Sequence, residues 1–342
     1  MNRPLTIAGG GLAGLSLGIA LRSRGVPVRV VEASSYPRHR VCGEFISGIA
    51  DAELDALGIR DLFASAQRHT STAWFDGERP MWSRTLPSPA YGISRHFLDA
   101  ALADRFVALG GELRCGERFE GAGEGVVWAA GRPKQSSDWL GLKAHFDGLA
   151  LSADLEIHLN DGGYVGLTRV EDGRVNVCGL FRRRDAVGGG HALVAATRDA
   201  GLVRLAARLG AALPVEGSLK GVSHFSLGWQ RERDDGRVTL GDSAAMIPPF
   251  TGNGMTMAFQ SALAATGPLV RWSEGGGWND SAAEIRVAHR RLFARRLGWA
   301  RFFQSVLLNR FGRKLAVMML SSSAVRFETL YRKVRGHAIP QA

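Results

Sequence analysis

One stretch near the start, residues 9–32, restricts the fold more than any other part of the chain. Leu5-Thr6-Ile7-Ala8 is a short apolar run and reads as a strand. It enters Gly9-Gly10-Gly11-Leu12-Ala13-Gly14, which satisfies G-x-G-x-x-G. Leu12, Leu15, Leu17, Ile19, Ala20 and Leu21 then keep an apolar helical face, and Gly25 ends the helix. Val28-Arg29-Val30-Val31 is a second strand, closed by Glu32. Strand, glycine turn, helix, strand and acid in this register predict a βαβ dinucleotide site.

Each residue type has a physical reason. Gly9 permits the tight turn, Gly11 lets backbone approach a pyrophosphate, and Gly14 lets the helix pack closely on the strand. Leu12 and Ala13 open the helix, whose free N–H groups and macrodipole favour phosphate. Glu32, with Ala33 beside it, falls where a carboxylate accepts a ribose 2′-OH hydrogen bond. An acid there disfavours a 2′-phosphate, so NADP is not expected at this site. The pattern does not by itself choose between FAD and NAD.

A second constellation lies far downstream. Arg237-Val238-Thr239-Leu240 reads as a strand and ends in Gly241-Asp242. Ile247-Pro248-Pro249-Phe250-Thr251-Gly252-Asn253-Gly254-Met255 follows, and then a helix is expected over residues 256–265. A helix N-terminus with side-chain-free glycines supplies donors and positive potential to a group that gains negative charge. This arrangement resembles the second FAD motif of the p-hydroxybenzoate hydroxylase and geranylgeranyl reductase superfamily. The resemblance implies that Asp242, after Gly241, holds the ribitol hydroxyls. It places Pro249 beside the isoalloxazine, and the backbone of Gly252, Asn253, Gly254 and Met255 against the flavin N1 and O2 edge.

Three further segments are similar to that family. Arg95 stands before the helical pattern containing Asp99 and is expected to reach the cofactor phosphates. Arg38-His39-Arg40-Val41-Cys42-Gly43-Glu44-Phe45 looks like the Cys-Gly loop of the geranylgeranyl reductase branch. That likeness puts Arg40 on the cofactor and makes Cys42 and Glu44 the catalytic candidates. Glu44 would be an acid-base group if burial raises its pKa. Residues 126–132 resemble the strand that some hydroxylases end in Asp-Gly, but Ala130 stands in place of the aspartate, which weakens nicotinamide binding there. The halogenase signature Trp-x-Trp-x-Ile-Pro is absent, which disfavours halogenation.

With 342 residues the chain exceeds one ordinary core and suggests intertwined domains. Residues 147–225 read mostly as strands, with Glu171-Asp172-Gly173 as a hairpin turn. Trp74 and Trp82 are candidates for a wall of the substrate site. The expected fold is α/β. A Rossmann-type, glutathione-reductase-like FAD-binding domain (1–72, 92–140, 225–284) takes an inserted antiparallel β-sheet substrate domain (73–91, 141–224). A basic helical C-terminal segment (285–342) completes it. No apolar run is long enough to span a bilayer, and the first strand leads straight into the glycine turn without a cleavage-site pattern. Cys42, Cys115 and Cys178 have no metal-ligand spacing, and no metal is expected. A cytoplasmic location is expected.

The formal net charge is +11, yet residues 285–342 hold thirteen Lys and Arg against one acid, Glu328. The remainder is close to neutral, so the basicity belongs to the tail. A solvated helical face is the plain explanation. The functional ones are an acidic carrier or reductase partner, or peripheral contact with an anionic membrane. Nucleic acid is not expected, because no recognition motif accompanies the charge.

The resemblance implies an FAD-dependent oxidoreductase acting on a small hydrophobic or aromatic substrate, free or carrier-bound, with monooxygenation ahead. With one G-x-G-x-x-G, NAD(P)H would act as a transient electron donor. The alternative is a reductase or dehydrogenase of the geranylgeranyl reductase type acting on a C–C bond. A third reading is a non-catalytic flavin redox sensor.

Overall fold

Apolar runs with no polar face can pair only where both faces are covered, and here they form a five-stranded parallel sheet. Its order is Val238–Thr239, Val126–Trp128, Leu5–Ala8, Val28–Glu32, Glu112–Cys115. In this computed structural model residues 2–132, 137–182, 191–223, 227–230, 236–321 and 327–335 are described. The expected end of the β-rich stretch at Phe225 and the tail residues 322–326 and 336–342 lie outside them.

Leu5–Ala8 sits at the centre of the sheet, with Ile7 opposite Val30 on one side and Val127 on the other. The helix Leu12–Arg22 starts directly above it, and its residues Leu12 through Leu21 are all buried. It lies between the helices Arg95–Ala108 and Gly254–Ser273. Ser94 caps the first of these through its hydroxyl, 3.0 Å from the Phe97 amide. The second begins two residues earlier and ends eight later than the expected 256–265 span. It extends because Phe259, Ala262, Ala265 and Leu269 keep a buried face to its end.

The second sheet has nine strands and is mostly antiparallel. The hairpin of Gly163–Arg169 with Val175–Arg182 turns at Gly173 (φ 81°), as expected. One pairing, Gln67–Asp76 with Leu155–Asn160, is parallel. Gln67–Asp76 also runs across the boundary placed at residue 72, and Phe45–Ile46 pairs with the end of Arg79–Gly92. The reading of 147–225 as mostly strands needs correcting, because two helices, Ala192–Asp199 and Val203–Gly210, fall within it. Leu202, Leu205 and Leu209 recur at helical steps and, with Leu193 of the first helix, cover one face of the sheet. Strand alternation turns Val165 and Leu167 toward those helices and Tyr164 toward the opposite face.

The tail is not an appendage. A helix Trp278–Leu307 begins before the boundary at 285, and Arg310–Ser321 and Phe327–Arg335 follow. Phe293, Leu297, Ala300 and Val334 form a buried cluster with Ile247 and Met257. Among the described residues no helix is long and apolar enough to cross a membrane.

Gly14 marks the tightest joint of the nucleotide side. A Cβ there would lie 2.0 Å from the Gly9 carbonyl oxygen, a backbone atom that cannot yield. We expect Gly14→Ala to lower stability by about 1–3 kcal/mol or more, read as a shift of the urea midpoint at unchanged slope.

Candidate functional site

A cavity of about 700 Å³ runs from the glycine turn across the C-terminal ends of the parallel strands to the second sheet. Gly9, Gly11, Leu12 and Ala13 line one end of it, with Glu32 and Ala33 beyond. Gly9 (φ 105°) is forced by its neighbours, since a Cβ would meet the Ala129 carbonyl oxygen at 2.4 Å. Gly11 is different. A Cβ there would find nothing nearer than an Arg95 nitrogen at 3.9 Å. The protein's own packing does not require glycine at 11, where bare backbone faces the cavity. Gly14 does not line the cavity, and its role is packing.

Cations surround this end. Arg95 forms two bonds to the fully buried Asp99, at 2.6 and 2.8 Å, and lines the cavity beside Gly11. Arg40 lies 3.4 Å from Asp99 and 3.7 Å from Glu32, and its Nε has no hydrogen-bond partner. Glu32 accepts from the Gly10 amide (2.8 Å), the Ser34 amide (3.0 Å) and Arg38 (2.7 Å). Burial opposes its charge, but Arg38, Arg40 and the Gly10 amide hold its pKa below the ordinary value. The acid therefore stays ionised and also orders the loop of residues 33–40.

At the far end, Gly241 and Asp242 follow the edge strand, with Pro249, Gly252, Gly254 and Met255 across from them. Asp242 lines the cavity, and among the described residues no hydrogen-bond donor reaches its carboxylate. Burial pushes its pKa up, against the pull of Arg132, Arg95 and Arg40. A partnerless acceptor over a cavity suits a polyhydroxyl chain. Gly252 adopts the left-handed region (φ 63°) and ends the turn 249–251. Asn253 is fully buried and does not line the cavity; its Oδ1 is unpartnered. The residues present thus fit an extended dinucleotide, with phosphates at the helix Leu12–Arg22 and a ring system near residues 249–255.

The Cys42-Gly43-Glu44 loop does lie over the cavity, and the surroundings of both catalytic candidates can be described. Glu44 is fully buried, and its carboxylate meets Lys143 Nζ at 3.0 Å, His145 Nε2 at 2.6 Å and the Arg95 amide at 3.0 Å. Burial alone would raise its pKa. Lys143, His145 and that amide outweigh burial and hold it below the ordinary carboxylate value. Glu44 is a fixed anion, not an acid near neutral pH. Burial likewise raises the Cys42 pKa, against the nearby Arg95, so the thiol stays protonated and is a poor nucleophile.

Lys143, His39, His96 and His145 were not picked out from the sequence. Lys143 and His145 share the strand Trp139–Asp147, while His39 lies in a loop and His96 in the helix Arg95–Ala108, and only the fold brings the four together. His39 stacks on His96 with centroids 4.5 Å apart, and its Nδ1 lies 3.1 Å from Lys143 Nζ.

A second cavity, about 460 Å³, adjoins the first, and Gly43, Phe45, Tyr164, Cys178, Pro249 and Gly252 line both. Trp74 and Trp82 stack at 5.6 Å on the sheet side of this cavity. The opposite wall was not anticipated. Trp299, Phe302, Phe303, Phe327 and Tyr331 come from the C-terminal helices. A Cβ at Gly43 would meet nothing within 4 Å, so the junction between the cavities is open.

No protein-family model and no curated protein matches the sequence. Solved structures do share its architecture. The flavin-dependent brominase Bmp2 is 15% identical with a TM-score of 0.77, over 96% of this chain and 92% of that one. Pseudomonas aeruginosa PqsL in complex with 2-aminobenzoylacetate is 16% identical with a TM-score of 0.73, over 93% and 99%. A 2-methyl-3-hydroxypyridine-5-carboxylic acid oxygenase is 18% identical with a TM-score of 0.69, over the full length of both. At these identities the likeness establishes the fold: the chain has the architecture of these flavoenzymes.

The histidine cluster gives a pH dependence. Burial, then Lys143, His145 and His96, lower His39 from 6.5 to about 4. The unfolded chain takes up this proton below pH 6.5 and the folded one does not until about 4. The contribution of His39 to stability is therefore complete above pH 6.5 and is lost as pH falls toward 4. His39→Asn is expected to flatten the denaturation midpoint against pH in that window by about one proton. His289, also held near 4 by burial, leaves a residual slope in the variant.

Proposed function

We propose that the chain is an FAD-dependent monooxygenase of a small hydrophobic or aromatic molecule. The observation that carries this reading is the junction of the two cavities. A cradle built for a dinucleotide opens, at the end expected to hold a ring system, into a chamber walled by Trp, Phe and Tyr. The names of the brominase, PqsL and the oxygenase support it by fold.

Bound and reduced, FAD supplies the reaction with O₂ that places one oxygen atom on the substrate and the other in water, with NAD(P)H giving two electrons and a proton from solvent completing the balance. This chain's residues bind, orient and exclude water. Gly11 and the helix amides take the pyrophosphate, with Arg95 and Arg40 as its counter-charge. Asp242 takes ribitol hydroxyls, and Gly254 and Met255 present a helix N-terminus to the flavin edge. Trp74, Trp82 and Phe303 keep the reacting face dry.

The reductase alternative needs a group that delivers a proton to carbon beside the flavin. Of the two candidates, Glu44 is held as an anion by Lys143 and His145, and burial keeps the Cys42 thiol a weak acid, so both are weak proton donors near neutral pH. A non-catalytic sensor leaves the aromatic chamber without a purpose. Halogenation shares this fold, but the signature expected for it is missing.

The test is anaerobic reduction by NADH and by NADPH, followed by ¹⁸O₂ in the presence of an aromatic panel. Product carrying ¹⁸O is expected, with no product before oxygen is added. Turnover without O₂ would instead establish a reductase. Gly11→Val is expected to weaken FAD binding about 10- to 100-fold while moving apoprotein stability by less than about 0.5 kcal/mol, checked by equilibrium dialysis and by urea titration.

A further inference from the structure

The second cavity has a mouth, and its rim is unusual for a surface exposed to water. Phe302 and Leu315 line the cavity, yet they are 54% and 50% exposed. The opening thus lies between the end of the helix Trp278–Leu307 and the helix Arg310–Ser321. Phe311 and Met318, which do not line the cavity, are 80% and 62% exposed. Phe311, Leu315 and Met318 are spaced i, i+4, i+7, so they form one outward stripe. The opposite side of the same helix is held down, with Arg313 almost fully buried against Asp76 (2.6 Å) and Asp161 (2.8 Å).

Charge at this rim has one sign. Arg301, Arg310 and Lys314 are exposed, and among the described residues none has an ion-pair partner. Asp76 and Asp161 are held by Arg313, and Glu328 by Arg332. Exposed aromatic and aliphatic side chains flanked by unpaired cations are the pattern of a helix lying in a lipid headgroup layer.

We propose that this face rests on an anionic lipid surface, so that the cavity mouth opens toward the acyl region and takes up substrate dissolved there. The continuity of rim and chamber favours lipid over an acidic protein. A protein seated on Phe302 and Leu315 would close the entrance, whereas a bilayer delivers apolar molecules through it. The entry route rests on reading the second cavity as the substrate chamber; the surface contact does not.

The experiment is co-flotation of the full chain with vesicles of phosphatidylcholine plus phosphatidylglycerol, and with phosphatidylcholine alone. Flotation with the anionic vesicles is expected, falling as salt rises. The double variant Phe311→Ser/Met318→Ser should reduce the bound fraction at least about tenfold. Arg310→Gln/Lys314→Gln should reduce it about 25-fold, at roughly fivefold per cation. Retained FAD absorbance and an unchanged thermal midpoint verify that the variants fold. No flotation, or variants floating like the parent, overturns the proposal. So does equal retention on soluble polyglutamate, which would indicate an acidic protein instead. Flotation needs no turnover, so a failure of the oxygenation chemistry leaves this result standing, and the reverse also holds.

Discussion

One fully buried carboxylate touches both halves of this molecule. Glu44 reaches the first amide of the helix Arg95–Ala108 on the nucleotide side and Lys143 and His145 on the inner strand Trp139–Asp147 of the other sheet. Its own carbonyl accepts from the Ile93 amide. It is also the only described non-glycine residue with positive φ, at 52°, a conformation that costs about 1–3 kcal/mol. The surrounding bonds impose that backbone. Removing one partner of a buried charge pair is destabilising by about 3–5 kcal/mol, so the joint resists loss of either side. Both cavities meet at the residues on either side of it, Gly43 and Phe45.

The same cluster shows why an acid in a cleft is not automatically a catalyst. Burial and nearby cations act on Glu44 with opposite sign, and the cations win. Asp242 has the reverse balance. Its cations act without a hydrogen bond, burial dominates, and the carboxyl is left without a donor. Sequence alone lists both as acids after a glycine. Only the position of Lys143, nearly a hundred residues away, separates a structural anion from a ligand-facing acceptor.

The nucleotide end was legible because its constraints are local. The spacing of Gly9, Gly11, Gly14 and Glu32 is set within one βαβ unit, and the structure returns each residue to its expected place. The Gly252-Asn253-Gly254 turn was legible for the same reason. What was not legible depends on distant packing. Leu202, Leu205 and Leu209 carry a helical period, but they lie between strands and were absorbed into a strand-rich stretch. The aromatic wall from residues 299–331 has ordinary core spacing, and nothing local says that its partner is empty space rather than side chains.

Basicity and apolar pattern in the tail were first read as separate properties, and the fold makes them one device. The helix Phe327–Arg335 places Tyr331 and Val334 in the chamber wall. Its last residue, Arg335, is buried with Nε 2.7 Å from Ser47 Oγ and another nitrogen 3.3 Å from the Thr251 carbonyl. Ser47 follows the Glu44 loop, and Thr251 begins the turn at Gly252. One guanidinium therefore holds both protein segments that border the expected flavin ring. Burial lowers its pKa to about 10, which leaves it charged near neutral pH. Arg335 thus ties the C-terminal helix in the wall of the second cavity to the turn of residues 249–252, so the packing of that helix and the conformation of that turn are not independent.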